Sequence, residues 1–235
     1  MISINGLSKV FGGNVALREI NLELKRGEFI ALFGPNGAGK TTLIKIMSTL
    51  ISPTSGTITI DGYDIKEAPI EVRKRIGVIS HETYLYDDLT ARENLQFYGK
   101  MYQVDDLDGR ISKVTSDVGL SRRLDDMVRT FSRGMKQRLS ITRAILHDPP
   151  ILLLDEPYTG LDPHAAMTFD GILKRLNLLD KTVMMTTHMI NQGLEMGDRV
   201  AILNMGELTC DMQKNQIRDE AHFKSIYEQC VGVEL

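Results

Sequence analysis

Phe29-Ile30-Ala31-Leu32-Phe33-Gly34-Pro35-Asn36-Gly37-Ala38-Gly39-Lys40-Thr41 decides the fold. Glu28–Phe33 is apolar after its first residue, the pattern of a strand buried on both faces. Gly34–Thr41 then matches G-x-x-x-x-G-K-[ST], and Leu43, Ile44, Ile46 and Met47 follow at helical spacing. Strand, glycine loop and helix in this order make a cradle for phosphate. Glycines let backbone amides of the run Gly34–Gly39 turn inward and approach phosphate oxygens, where side chains would clash. The helix start adds partial positive charge. Lys40 reaches β- and γ-phosphates, Thr41 offers a hydroxyl to Mg²⁺, and Thr42 continues the binding run. The loop is expected to face solvent.

Ile151-Leu152-Leu153-Leu154-Asp155-Glu156 supplies the second half. Four apolar residues carry a strand through the core and leave Asp155 at its carboxyl end, where ligands of parallel sheets bind. Asp155 is the expected partner of Mg²⁺. Glu156 beside it is placed to orient or deprotonate an attacking water.

Outward from these segments, Ile2-Ser3-Ile4, Asn21–Leu24 and Thr57–Ile60 alternate apolar and polar, as antiparallel strands wet on one face do. Thr90-Ala91-Arg92-Glu93 reads as a capping box, with Leu95, Tyr98, Met101 and Tyr102 at helical spacing behind it. Strand candidates Ile151–Leu154 and Thr182–Thr186 flank a helical pattern over 165–179, which implies parallel pairing. Val200–Leu203 and a turn at Asn204-Met205-Gly206 predict a closing hairpin. The fold class is α/β: a mixed or parallel sheet, an antiparallel β subdomain and an inserted helical subdomain. One domain over 1–235 is expected. Residues 1–80 and 148–235 form its core lobe, and 81–147 its helical lobe.

Composition excludes several classes. With 28 Lys and Arg against 31 Asp and Glu, the net charge of −3 lacks the basic excess of a nucleic-acid binder. The two cysteines, Cys210 and Cys230, make no disulfide framework and match no metal spacing, so a reducing compartment is expected. They and His147, His164 and His222 read as structural or surface residues. No apolar run approaches the roughly 20 residues of a membrane span. The start MISINGLSKV is no signal peptide. Other chains must then hold the protein at any membrane it serves. Arg73-Lys74-Arg75 reads as a solvated face, and the 12 methionines as core filler.

Three more segments extend the pattern: Phe131-Ser132-Arg133-Gly134-Met135-Lys136-Gln137-Arg138, Thr159-Gly160-Leu161-Asp162, and His188 after Thr182–Thr187. In this order and register the motifs resemble the nucleotide-binding subunit of ABC transporters over nearly the whole chain. The resemblance implies a P-loop NTPase core that binds MgATP and hydrolyses ATP. It implies a homodimer enclosing two ATP molecules. Ser132 and Gly134, at a helix start, would face the γ-phosphate held by the other copy, and Asp162 would cross that interface. His188 would bond the γ-phosphate; taken alone, it reads as a structural histidine at a strand end. The partner implied is an integral-membrane permease, which places the chain in the cytoplasm, peripheral on the inner face of the membrane. Phe11 is the candidate for stacking on adenine, with a core phenylalanine as the alternative.

Two positions depart from the family. His81 stands where the family has glutamine; it is assigned to the catalytic and metal set, with permease contact as the other reading. Ser132-Arg133-Gly134-Met135 replaces Ser-Gly-Gly-Gln, so Arg133 either assists phosphate binding or is solvated. This signature and Tyr84–Thr90 look most like the subset serving export permeases for drugs, polysaccharide or heme. Among these, the heme exporter of cytochrome c maturation is the single expectation the resemblance suggests. Rival readings are an importer ATPase and an ABC-type ATPase of DNA repair or translation. Against the latter stand a single cassette, no heptad run and the acidic net charge.

Overall fold

The structure is a computed structural model that describes residues 1–80, 82–159, 161, 166–167, 169–171 and 181–232. The chain opens with β1 (Ile2–Phe11), β2 (Asn14–Leu24), β3 (Phe29–Phe33) and α1 (Lys40–Met47). Next come β4 (Ser55–Ile60), β5 (Tyr63–Asp64), α2 (Pro69–Arg75) and β6 (Ile76–Ser80). Three helices follow: α3 (Ala91–Met101), α4 (Leu107–Asp117) and α5 (Arg133–Ile145). The last part holds β7 (Ile151–Asp155), β8 (Thr182–Thr187), α6 (Ile190–Met196), β9 (Arg199–Asn204), β10 (Glu207–Gln213) and α7 (Glu220–Val231).

Two sheets organise these elements. One has the order β2-β1-β4-β5 and is antiparallel. The other runs β10-β9-β3-β8-β7-β6, parallel except for the β9–β10 hairpin. The α/β class with its antiparallel part is therefore observed. The three strands buried along their whole length, β3, β7 and β8, divide their side chains by alternation. Phe29, Ala31 and Phe33 enter the hydrophobic cluster that includes α5 and α7, while Ile30 and Leu32 enter the cluster shared with α1 and the antiparallel sheet. Leu152 and Leu154 divide from Ile151 and Leu153 in the same way, as Met185 does from Met184. Neighbouring side chains point to opposite faces, so a strand covered on both sides must be apolar throughout.

The capping box closes in both directions: Thr90 Oγ1 accepts from the Glu93 amide, and Glu93 accepts from the Thr90 amide at 2.7 Å. Behind it, Leu95 is buried but Met101 faces solvent, so the apolar stripe is narrower than its spacing suggests. The expected helix over 165–179 lies largely outside the described residues; 166–167 and 169–171 are helical. The basic run is also more engaged than expected. Arg75 pairs with Glu71 and Asp61 and stacks over Tyr63, and Arg73 bonds Thr49.

A groove of about 230 Å³ opens where α3 and α5 meet β6; Leu50, Arg73, Tyr84, Tyr98, Tyr102 and His147 are among its lining residues. His147 stacks on Tyr102 with centroids 3.9 Å apart, and its Nε2 meets the Ile76 carbonyl at 3.1 Å. Burial holds its pKa down at about 4, the Ile76 contact opposing this. His147 is thus neutral in the fold while the unfolded chain takes up a proton below about 6.5. Its stabilising effect is complete above that pH and is lost as pH falls through about 4. The loss amounts to about 3 kcal/mol. His147→Gln should therefore lose less stability than the parent between pH 7 and pH 4, measured by urea unfolding at each pH. Equal losses would show that His147 does not titrate with folding.

Candidate functional site

The carboxyl ends of β3, β7 and β8 converge because these strands are parallel neighbours. Phe33 pairs with Thr187, and Asp155 with Thr186. The loop after β3, the Asp155-Glu156 pair and His188 are thereby brought to one edge. A cavity of about 190 Å³ lies there, lined by Ala16, Pro35–Thr42 and Glu156.

The loop's geometry requires glycine at two positions. Gly39 sits at φ +109 as the N-cap of α1, and a Cβ there would lie 2.5 Å from the Ala16 carbonyl oxygen. A Cβ on Gly34 would lie 2.2 Å from the Leu203 carbonyl oxygen. The helix has no side-chain cap and no acidic residue in its first turn. Its N-terminal amides are left for an anion to satisfy.

Asn36 and Gly37 are exposed, as a solvent-facing loop requires, but Lys40 is not: its side chain is 6% exposed. Nζ donates to the Gly34 carbonyl at 2.6 Å and the Pro35 carbonyl at 3.2 Å, and lies 3.3 Å from Glu156 Oε1. Glu156 Oε2 lies 2.8 Å from His188 Nδ1. One carboxylate thus sits between an ammonium and an imidazole. Glu156 reaches this position in a left-handed conformation, φ +48, which a residue with a Cβ adopts at a cost of about 1 kcal/mol or more. The Glu156 amide, donating to Thr186 O at 3.1 Å and Oγ1 at 3.0 Å, holds the backbone there. His188 is half exposed at its strand end and is oriented by Glu156.

Asp155 is buried, and its Oδ1 accepts from Thr41 Oγ1 at 3.1 Å and Thr186 Oγ1 at 2.7 Å. Adjacent hydroxyl and carboxylate oxygens are hard donors of the kind Mg²⁺ takes. Thr41 and Asp155 therefore fit that ion.

Other expected residues lie apart. Phe11 is 46% exposed at the β1–β2 turn, which removes the core alternative, and it is not among the residues lining the cavity. Lys9 Nζ stands 4.7 Å above its ring. Ser132 is the N-cap of α5, its Oγ accepting from the Met135 amide at 3.3 Å. The helix thus starts at Arg133, a turn before the apolar residues that signalled it. No heavy atom comes within 4 Å of a Cβ built on Gly134. Neither Ser132 nor Gly134 lines the cavity at Lys40. Arg133 is exposed, as its solvated reading has it, and its Nη2 donates to the Thr159 carbonyl at 3.2 Å. His81 and Asp162 lie outside the described residues. Two participants escaped the sequence reading, Thr186 and Ala16. A threonine near the end of an otherwise buried strand was the available signal for Thr186; Ala16 carried none.

Comparison with known proteins fits this geometry. Residues 17–159, more than half the chain, match the family model described as ABC transporter. The ABC transporter ATP-binding protein NatA of Bacillus subtilis (strain 168) is 38% identical over 82% of this chain and 80% of its own length. Nod factor export ATP-binding protein I of Cupriavidus metallidurans is 31% identical over 93% of this chain and 73% of its own. The dimeric ATP-binding cassette MJ0796, bound to ADP and Pi, superposes with a TM-score of 0.81 at 29% identity, covering 91% of this chain and 99% of that one. A strand-borne phosphate loop, a buried aspartate on its hydroxyl and a glutamate held by lysine and histidine thus occur in a chain that belongs to the ABC transporter family, as one of its ATP-hydrolysing, ATP-binding subunits.

Proposed function

We propose that this subunit drives an export permease, with Glu156 as the base of ATP hydrolysis. The observation that carries the mechanism is the Glu156 carboxylate set between Lys40 and His188. When ATP enters, its β- and γ-phosphates outcompete a single carboxylate for Lys40 Nζ, because they offer more negative charge. Glu156 Oε1 is then released to accept the proton of an attacking water, while His188 keeps Oε2 in place. Thr41 and Asp155 would hold Mg²⁺, which would supply positive charge against the charge developing on the phosphates. The amides at the start of α1 bind phosphate oxygens without moving, so little reorganisation opposes the reaction.

The signature end of α5 acts in a second copy. Neither Ser132 nor Gly134 lines its own chain's cavity; Ser132 is exposed, and a Cβ on Gly134 would meet nothing within 4 Å beyond its own helix and chain neighbours. That arrangement suits a homodimer in which each α5 start faces the other copy's nucleotide and Asp162 crosses between them. The chain works as one cassette, its helical lobe 81–147 serving as the docking lobe. The permease seats in the groove beside α3. Tyr86, Phe97 and Tyr98 cluster there with centroids 5.3 to 6.3 Å apart, and Tyr86 and Phe97 are exposed. Exposed aromatic patches mark contact surfaces. No helix among the described residues is long and apolar enough to cross a membrane, so attachment to the inner membrane face comes through this partner. His81 follows β6, which lines the same groove, and its role is coupling to the permease. Export is favoured over import by the signature and by relatives such as the Nod factor export protein. The permease selects the cargo.

Glu156→Gln should lower turnover by about 10²- to 10⁴-fold while ATP binding persists. On adding MgATP the variant should shift from monomer to dimer in light scattering, and a second change, Ser132→Arg, should abolish the shift. Full turnover in Glu156→Gln removes this residue from the mechanism.

Lys40→Ala should lose both nucleotide affinity and turnover, read by fluorescent-nucleotide titration and phosphate release. Unaltered hydrolysis would sink the phosphate-loop assignment.

Phe97→Glu places a charge on the exposed aromatic patch. The isolated subunit should keep its ATPase rate, but co-purification with its permease and ATP-driven export should fail. Retained co-purification would move the docking surface elsewhere.

A further inference from the structure

The turn of the β9–β10 hairpin bears on the phosphate loop at both of the loop's ends. At the start, the Leu203 carbonyl oxygen lies where a Cβ on Gly34 would intrude. At the end, the Gly206 amide donates to the Ala38 carbonyl at 3.0 Å. Gly206 is itself seated on β2. Its carbonyl accepts from the Arg18 amide at 2.8 Å, and a Cβ on it would lie 2.9 Å from the Ala16 carbonyl oxygen. It stands at φ +82, after Met205 at φ +48. The other side of the turn is fixed to the end of α7: Asn204 Nδ2 donates to the carbonyls of Cys230 at 3.2 Å and Val231 at 3.4 Å. The turn is thus held by β2 and α7 while it grips the loop.

We propose that Gly206 is a positioning residue for ATP binding: by fixing the Ala38 carbonyl it aims the Gly39 amide at the phosphates. The peptide joining Ala38 to Gly39 is planar and trans, so its C=O and N–H point in opposite directions. A carbonyl drawn toward Gly206 turns the Gly39 N–H away from the hairpin. Gly39 lines the cavity, and among the described residues no acceptor takes up its amide. The helix does not orient this peptide, because its backbone ladder begins one residue later, with the Leu43 amide on the Gly39 carbonyl at 2.9 Å. Gly206 therefore acts through Ala38 and never touches the nucleotide. Glycine is required at this place because the left-handed φ and the Ala16 carbonyl both exclude a Cβ.

The test is steady-state ATPase kinetics of the full purified chain. An amide that binds phosphate equally in the ground state and the transition state contributes to KM and not to kcat. Gly206→Ala, which displaces the turn, should raise the KM for ATP about tenfold, the worth of roughly one hydrogen bond to a charged group, and leave kcat within about twofold. A defect of folding alone would do the reverse: an inactive fraction lowers the apparent kcat while the folded remainder keeps its KM. Met205→Asn changes an exposed neighbour to a residue that suits φ +48, and should keep both constants. The unaltered chain supplies a second measurement. Nucleotide that binds the aimed loop must stabilise the Gly206–Ala38 bond in return. Adding MgADP should therefore slow solvent exchange of the Gly206 amide proton, followed by NMR on isotope-labelled chain. A lowered kcat with unchanged KM in Gly206→Ala, an equal rise of KM in Met205→Asn, or Gly206 exchange indifferent to MgADP would each overturn the proposal.

Discussion

Parallel pairing of β3, β8 and β7 is the constraint on which the site depends. The register that sets Phe33 beside Thr187 and Asp155 beside Thr186 also sets the loop, both carboxylates and His188 at one edge. A shift of one residue along β7 would turn Asp155 to the opposite face, because side chains alternate. The register is strongly held, since each strand buries one row of apolar side chains above the sheet and another below. Any slip would exchange the two rows and break the packing of both layers. The chemistry is therefore positioned by hydrophobic burial well away from the reacting atoms.

Around that edge, polar contacts do what burial cannot. Thr186 is fully buried, yet its hydroxyl serves Asp155 and its oxygens receive the Glu156 amide. It couples the buried aspartate to the strained glutamate next to it. Lys40 illustrates a second device. Its ammonium is satisfied by two loop carbonyls and Glu156, so the loop keeps an inward lysine without an unpaired buried charge. Arg133 extends the order outward by fixing the Thr159 carbonyl to the first turn of α5.

The helical part meets the sheet through a more polar seam. Arg143 donates to the Val78 carbonyl at 2.7 Å and lies within 5.5 Å of the Tyr84 and Tyr98 ring centres. His147 stays neutral under Tyr102.

By itself the sequence determined the elements and the chemistry of the loop. Strand, glycine loop and helix are local patterns, and Gly34–Thr41, Asp155, Glu156 and the Thr90 capping box could be named because each is written in consecutive residues. The two-faced burial of β3 and β7 was legible for the same reason, as uninterrupted apolar runs. Tertiary structure alone decided the rest. Thr186 gained its role from a register between strands 31 residues away from Asp155, and Ala16 entered the cavity because β2 crosses the loop. Lys40 turned out buried, its depth being set by Glu156 and two carbonyls rather than by its neighbours in the chain. A pattern along the chain encodes which atoms are available. Which of them touch depends on contacts between segments far apart in sequence, and these exist only once both cores have closed.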